Sequence, residues 1–435
     1  MFDLQSLSII LTLVLFGFLL SGVWVAVTLF VVGAVGLYLN GDSHIGIHIA
    51  SIIWSHTATW TIAALPLFIW MGEILFRSRL SKDLFTGLAP WLNYLPGKLL
   101  HVNILGCGIF AAVSGSSAAT AATVGKMTIP ELEKRGYDTG ISLGTLAGSS
   151  TLGLLIPPSI ILIVYGVSAE VSIARLFLAG ALPGLMLVCL FMGYTMIWSL
   201  FNKDKVPEYE YEGSFKQKIK DSMNLIPVIG LIVFVLGSIY MGIATATEAA
   251  VFGVVGSLFI SAVSGSLTKT VFMESLIGAV MTSCMILFIL VGAAFMSYGM
   301  AVIGIPSSLA AWIDGLSLSP IYLIVALTLF FIVMGCFLDG ISVVVLTTSV
   351  VLPMIVSAGI DLIWFGVFLV IVVEMSQITP PVGFNLFVIQ SLTGKNILKI
   401  AAYAFPFFVI LILAVALITA FPSIVTYLPT AMTSN

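Results

Sequence analysis

The sequence predicts an all-α polytopic membrane protein built from two inverted-topology repeats, each with about five spans, one re-entrant hairpin and one broken helix. Three observations carry that reading. The first is composition: 60% of the residues are hydrophobic and 8% are charged, whereas a soluble domain carries about 25% charged residues. Mean hydropathy is +1.20. The second is a pair of double prolines, Pro157-Pro158 and Pro380-Pro381, each inside an apolar stretch long enough to cross a bilayer. The third is a duplication. Gly17, Gly22, Gly33, Gly36 and Gly72 recur at one constant offset as Gly237, Gly242, Gly253, Gly256 and Gly292. After a short slip, Pro130, Gly136, Asp138, Pro157, Pro158 and Pro183 recur as Pro353, Gly359, Asp361, Pro380, Pro381 and Pro406. These residue types punctuate helices and turns, so two copies of one fold would keep them while other side chains drift. Isolated glycine matches are cheap in a chain with 40 glycines. Prolines in order at one offset are not.

Net charge (−3) says little, because the placement of the charges matters more. Nothing basic and extended suggests a nucleic-acid partner; the expected surroundings are a lipid bilayer. Met1 to Leu20 is apolar with no preceding Lys or Arg, so it lacks the basic start of a signal peptide and reads as a retained span. Cys107, Cys189, Cys284 and Cys336 have no paired spacing and read as small packing residues.

The first repeat is expected over residues 1–200. Leu4 to Leu20 and Ser21 to Leu39 read as two spans meeting at Ser21-Gly22. Asn40 to Thr57, with Asp42, His44, His48 and His56, reads as a loop, and Ala58 to Phe76 as the third span. Arg77, Arg79, Lys82 and Lys98 then cluster in an amphipathic connection, which the positive-inside rule places in the cytoplasm. Residues 99–125 are flanked on both sides by basic residues (Lys126, Lys134 and Arg135 follow), so the segment enters and leaves from one face. Its small polar middle, Ser114 to Ser117, is the expected hairpin tip. Residues 140–167 form the first broken helix, and Ser172 to Leu200 returns.

Residues 201–221 carry five lysines and read as a cytoplasmic linker. The second repeat, 222–421, then crosses at Met223 to Met241, Ala246 to Ser264 and Val271 to Tyr298. By the repeat, 322–357 is the second hairpin with tip Leu338-Asp339-Gly340, and 363–391 is the second broken helix. Ala401 to Phe421 exits to an uncharged extracytoplasmic tail, 422–435, so both termini are expected outside. An odd number of crossings per repeat inverts one copy relative to the other.

A double proline removes backbone donors and clashes with the preceding turn, so each helix must break. Breaks at membrane depth are tolerated where they line a cavity or lie buried in protein. In secondary transporters such breaks hold substrate and coupling ions near the midplane. Four elements are therefore expected to converge: tip one (Ser114 to Ser117), break one (Gly148, Ser149, Ser150 and Thr151 through Pro158), tip two (Asp339, Gly340) and break two (Thr379 to Gly383). Half-helix N-termini suit an anionic group; unwound carbonyls with Ser and Thr hydroxyls suit a hard cation. The candidate substrate-binding residues are Ser116, Ser150, Thr151, Asp339, Gly340 and Gly383. Against this, small residues in membrane helices commonly serve close packing, and that is the plainer role for Ser116 or Ser149 taken singly. Asp339 is different, since an ionisable residue at membrane depth is a functional candidate by default. Glu374 is placed to brace the second break, Glu248 at a helix or subunit contact, Glu73 in an interfacial ion pair, and His101 at an interface.

At these residues the chain resembles the large membrane subunit of TRAP transporters. The resemblance lies in Glu374 to Val388 (EMSQITPPVGFNLFV), Phe337 to Asp339, Ser114 to Ser117, Ile156 to Ser159, Gly136 to Asp138, Phe177 to Gly180 with Pro183, and Thr245 to Ala250. It covers nearly the whole chain, and the motifs are specific in combination. Two positions depart: Gly340 stands where the family often has Pro, and Thr120 where many members have Asp. The resemblance implies sodium-driven uptake of small organic anions across a bacterial inner membrane. It implies work with a small four-span membrane subunit and an extracytoplasmic solute-binding protein. It also implies an elevator-type motion of hairpins and broken helices against a scaffold. Two sodium sites carry over, one around Ser114, Ser117, Gly148 and Ser149, the other around Gly335, Asp339, Gly340, Thr379 and Pro380. Carboxylates are the default substrate class, with sulfonates as a variant. The alternative is a stand-alone ion-coupled carboxylate or ion transporter of the same fold. An intramembrane enzyme is disfavoured, since no catalytic constellation is visible.

Overall fold

The computed structural model describes residues 3–78, 80–207, 214–315 and 319–433; Arg79 and the linker residues 208–213 lie outside the described residues. Among the described residues there are helices, turns and bends and no strand. Two helices open the chain, α1 (Leu4–Leu20) and α2 (Val25–Leu39). Between them Gly22 sits at φ +80°, a conformation that glycine adopts without a Cβ penalty, so the apolar stretch turns back as two helices. Next comes α3 (Ile45–Thr57), which corrects the expected loop over 40–57. Asp42 accepts the His44 N–H at 2.7 Å ahead of the helix, and the Ser55 and Thr57 hydroxyls bond back to the Ile52 and Ile53 carbonyls. The polar residues thus ride on a helix none of whose residues is buried. A 61° bend leads into α4 (Ala64–Phe76), followed by the amphipathic α5 (Leu80–Leu92).

The first hairpin is α6 (Leu100–Ser114) and α7 (Ser117–Lys134), packed on each other and joined through Gly115 at φ +57°. Its second arm continues past the expected end at 125, because Pro130 falls inside α7 without ending it. The first broken helix is α8 (Thr139–Ser150), a 3-10 turn at Thr151–Leu154, and α9 (Ile160–Ser168). After α10 (Ile173–Phe201), the linker forms α11 (Phe215–Met223), which lies on α5. There Trp91 Nε1 donates to Ser222 Oγ at 2.6 Å and Lys218 Nζ to Tyr94 Oη at 3.0 Å.

The second half brings α12 (Ile226–Tyr240), α13 (Ala246–Val263) and α14 (Lys269–Ile303). Helix α14 runs unbroken for 35 residues where the first repeat has the bent pair α3 and α4. Helix α15 (Ile305–Gly315), not anticipated from the sequence, occupies the place that α5 holds in the first repeat. The second hairpin is α16 (Pro320–Gly335) and α17 (Gly340–Ser357), and the second broken helix is α18 (Leu362–Gln377) and α19 (Phe384–Thr393). The arms of the second hairpin pack less on each other than on their neighbours: α16 and α17 both pack on α18, and α17 also on α9, α14 and α15. Helix α20 (Ile397–Ala420) follows. The expected tail, 422–435, instead contains α21 (Ser423–Thr433), seated on α10 and α18 with Val425 buried.

The duplicated landmarks perform the same local work in both halves. Asp138 and Asp361 cap α8 and α18, accepting from the N–H groups of Ile141 (3.1 Å) and Trp364 (2.8 Å). Gly136 and Gly359, two residues earlier, are both at positive φ. Pro183 and Pro406 sit inside α10 and α20. Both double prolines contain a cis bond. The halves also interlock: α2 packs on α14 and α4 on α13, while α7 packs on α19 and α17 on α9. At the centre, every residue of α18 from Ile363 to Gln377 is buried, as befits a helix apolar around its whole circumference. Peripheral helices leave large apolar side chains such as Leu13, Leu329 and Phe405 exposed, as lipid-facing surfaces do.

Three acids resolve differently from one another. Glu73 pairs with Arg77 (3.2 Å), which also reaches Glu274 at the start of α14 (2.7 Å). Glu248 closes a capping box with Thr245 at the start of α13. Glu374 does not brace the second break, and its place is described below. His101 is fully buried, with Nε2 2.7 Å from the Pro96 carbonyl.

Candidate functional site

Tip one is built by its hydroxyls. Ser116 caps α7, its Oγ accepting from the Ala119 N–H at 3.4 Å. Ser114 Oγ lies 2.9 Å from Thr120 Oγ1, and Thr120 donates to the Ser116 carbonyl at 2.7 Å. Thr120, fully buried, therefore closes the turn from below. Tip two is its counterpart in the repeat. Asp339 caps α17, accepting from the N–H groups of Ile341 (3.1 Å) and Ser342 (3.2 Å) and from the Ser342 hydroxyl. The two capping residues stand at the same offset as the prolines.

Each break wraps a tip. A Cβ on Gly153, in break one, would lie 2.6 Å from Ser117 Cα, and one on Gly115 would lie 3.2 Å from the Pro158 carbonyl. At the other junction, the Ser376 side chain fills the space where a Cβ on Gly335 would stand. Cys336 Sγ lies 3.7 Å from Thr379 Oγ1 and 3.4 Å from the Pro380 carbonyl. Thr379 itself donates to the Met375 and Ser376 carbonyls. The junctions are then joined to each other. Gly340 packs between Val373 of α18 and Leu154 and Ile161 of the first broken helix. Asn385 Nδ2 donates to Ser150 Oγ at 3.2 Å. Glu374, 1% exposed, points its carboxyl at Ser117 and the Leu154 backbone, and neither of its oxygens has a hydrogen-bond partner.

The expected convergence of four elements is thus present, with some residues placed differently. Ser114, Ser116, Ser117, Gly335, Thr379 and Pro380 lie at the two junctions and Gly340 between them, whereas Asp339, the cap of α17, lines a cavity against α2 and α14. Gly383, at φ +53°, closes the loop of break two against the Thr379 carbonyl. Gly148 and Ser149 are turned elsewhere: Gly148 abuts the Phe407 ring, and Ser149 donates to the Thr145 (2.5 Å) and Asn103 (3.3 Å) carbonyls. Ser150 and Thr151 are sealed inside and donate to the Ala147 and Gly148 carbonyls, so neither faces an open space. The reason is local. Hydroxyls near a helix end bond back to carbonyls three or four residues earlier, and burial closes these three off from open space. Gly153, Ser376 and Asn385 were missed in the sequence. Ser376 and Gly153 share one position of the repeat, a signal the offset already contained.

The donor set is oxygen-rich: hydroxyls of Ser114, Ser117 and Thr379, the Pro380 carbonyl and the buried Glu374 carboxyl. Such donors suit a hard cation. No group of three His, Cys, Asp or Glu suited to a transition metal occurs among the described residues.

Beside a cavity of about 900 Å³ lined by Asp339, Ser342, Val25 and Met285, two clefts flank this centre. One, of about 620 Å³, is lined by Phe76, Phe85, Thr123, Lys126 and Arg135, between α4, α5 and the open end of the first hairpin. The other, of about 300 Å³, is lined by His56, Glu170, Ser297, Pro306 and Pro353, at the open end of the second hairpin. Phe76 ends α4 and His56 lies in α3 before it. The two hairpins therefore enter from opposite ends of the molecule.

Residues 12–424 match the family described as "Tripartite ATP-independent periplasmic transporter, DctM component". The chain is 30% identical over 371 residues to the C4-dicarboxylate TRAP transporter large permease protein DctM of Pseudomonas aeruginosa, covering 85% of this chain and 86% of that one. It is 31% identical over 423 residues to the isethionate TRAP transporter permease protein DctMQ of Oleidesulfovibrio alaskensis, a longer chain of which 64% is covered against 94% of this one. It is 28% identical to the sialic acid TRAP transporter large permease protein SiaM of Vibrio cholerae, over 95% of this chain and 96% of that one. Among solved structures, the Alcanivorax borkumensis YdaH transporter superposes with a TM-score of 0.64 at 14% identity, covering 91% of this chain and 96% of that one. That likeness is one of fold alone.

Proposed function

The chain belongs to the family of the DctM component of tripartite ATP-independent periplasmic transporters, and from that premise we propose that it is the translocating subunit of a sodium-coupled importer of small organic anions. It is a multi-pass membrane transport component and not an enzyme. Its working partners are a small membrane subunit and an extracytoplasmic solute-binding protein, and its site of action is a bacterial inner membrane.

The observation that carries this reading is the closed circuit of two hairpin tips and two broken helices. Tip one lies in break one, tip two in break two, and Gly340, Asn385 and Glu374 tie the junctions across the repeats. The junction donors are oxygens, the ligands a sodium ion takes. Substrates named for the relatives are all organic anions (C4-dicarboxylate, isethionate and sialic acid). Lys126 and Arg135 line the larger cleft, at the basic and cytoplasmic end, where an anion would leave. The clefts at opposite ends suit alternating access, with hairpins and broken helices moving as one body against α1–α4 and α12–α14.

The test is uptake into liposomes holding the chain with its membrane partner, supplied with loaded binding protein and a sodium gradient. Ser117→Ala and Thr379→Ala raise the sodium concentration for half-maximal uptake. Unchanged sodium dependence in both would remove the ion-site assignment, and uptake without binding protein would favour a stand-alone carrier.

A further inference from the structure

We propose that Glu374 is a cation ligand: its carboxylate supplies the fixed negative charge that holds the coupling ion at the junction of tip one and break one. The proposal rests on the sodium-coupled reading above and assigns a residue to it that neither the repeat nor the double prolines single out.

The argument starts from burial. Glu374 is 1% exposed in a helix enclosed along its length, and both carboxylate oxygens lack a hydrogen-bond partner. Acidic side chains are almost never fully buried unless paired, and a buried charge is tolerated when it is paired or binds a metal ion. A protein cation is not at hand. The whole second half from Thr270 to Gly394 contains no Lys or Arg. In the first half, Lys126, Lys134 and Arg135 stand at the open end of hairpin one, with Lys126 and Arg135 lining the cleft there. A mobile cation would supply the missing charge.

What the carboxyl faces is suited to one. Across the repeat boundary lie Ser117 at the start of α7 and the Leu154 backbone at the end of the 3-10 turn. Gly153 brings that turn against the Ser116 carbonyl and the Ser117 backbone, with no room for a side chain between them. Ser114 is one turn away through Thr120. Hydroxyls, an unwound backbone and one carboxylate make a charge-compensated oxygen cage. The repeat equivalent of Glu374 is Thr151, whose hydroxyl is spent on the Gly148 carbonyl. The carboxylate is thus a device of one junction only, and an ion there would tie α18 of the second repeat to the tip of the first.

The experiment uses the purified full-length chain in lipid nanodiscs and follows the thermal unfolding midpoint against sodium chloride, with potassium chloride holding ionic strength. Wild type shows a saturable sodium-specific rise. Glu374→Gln, nearly the same shape without the charge, raises the half-saturating sodium concentration about tenfold or more, as loss of a charged contact does. An unchanged half-saturation in Glu374→Gln overturns the proposal while leaving sodium coupling intact. No sodium-specific rise in wild type overturns the sodium reading itself and the proposal with it. If Glu374→Gln fails to fold, Glu374→Asp decides: a weakened sodium response supports the ligand role, and an unaltered one overturns it.

Discussion

Asn385, the second residue of α19, donates its side-chain N–H to the Ser150 hydroxyl at 3.2 Å, joining two broken helices that lie 235 residues apart in sequence. Both side chains are fully buried, and Ser150 passes its own proton to the Ala147 carbonyl. The link is a neutral hydrogen bond inside the protein, worth about 1 kcal/mol net. Asn385→Ala and Ser150→Ala each lower the thermal unfolding midpoint, and the double variant lowers it by less than the two together. Strict additivity in that cycle would show that the two breaks are not directly coupled.

Close backbone approach at the junctions predicts a sharp contrast among glycines. Gly335→Ala puts a methyl into the space of the Ser376 side chain, and Gly153→Ala puts one onto the Ser117 backbone. Overpacking of this kind costs about 1–3 kcal/mol or more, and at these sites it also displaces a tip. Gly17→Ala, in α1 with nothing within 4 Å of the new methyl, is neutral or mildly stabilising. Yield of monodisperse protein and uptake rate check all three. Junction variants that match Gly17→Ala in both measurements would contradict the packing described.

The two roles of Asp339 separate by substitution. As a cap it accepts two backbone N–H groups, and Asn caps nearly as well, so Asp339→Asn keeps the fold. Asp339→Ala costs about 1 kcal/mol through the lost cap. If the charge serves transport, Asp339→Asn loses uptake at wild-type stability. Full uptake in Asp339→Asn reduces the residue to a cap.

Arg77 bridges Glu73 and Glu274, fastening α4 to α14 at the basic end. All three side chains are partly exposed, so solvent screens the pair, and Glu274→Gln costs less than about 1 kcal/mol. A chemical unfolding series in low and high salt checks this; a larger loss would mean that the bridge is shielded from water by a partner.

Asp42, in the turn before α3, is held below the ordinary aspartate value of 3.8, first by the His44 N–H and then by the charge and hydrogen bond of His48. A depressed carboxylate stabilises the fold above its unfolded value and stops doing so as pH falls through the folded one. The turn therefore holds at neutral pH and loosens only in acid, below about pH 4. Amide exchange of α3 followed against pH checks this, and Asp42→Asn removes the dependence.

Much of the architecture is legible in sequence because membrane physics makes it so. Long apolar runs have few alternatives to helix, and Pro157-Pro158 and Pro380-Pro381 cannot continue one. The offset joined Asp138 to Asp361 and Pro130 to Pro353, and the same local roles recur at those pairs. Weaker signals misled. The histidines of 40–57 suggested a loop, yet His44 is the N-cap residue of helix α3 and His48 and His56 lie on it, half-buried. The Ser149 hydroxyl, read as a candidate ligand, donates to the Thr145 carbonyl.

The sequence by itself determined that this chain crosses the membrane repeatedly, that it is doubled, and that the two proline breaks and two small-residue tips are its special points. Those features follow from short-range rules: solvation of the backbone, loss of donors at proline, and turn chemistry at glycine. Only the tertiary structure decided which tip meets which break, that Gly153 makes room for the Ser117 backbone and Gly335 for the Ser376 side chain, and that Glu374 and Asn385 of the second repeat face the first. These are encounters between residues hundreds of positions apart. No local propensity specifies them; they are set by how the interlocked helices of the two halves pack.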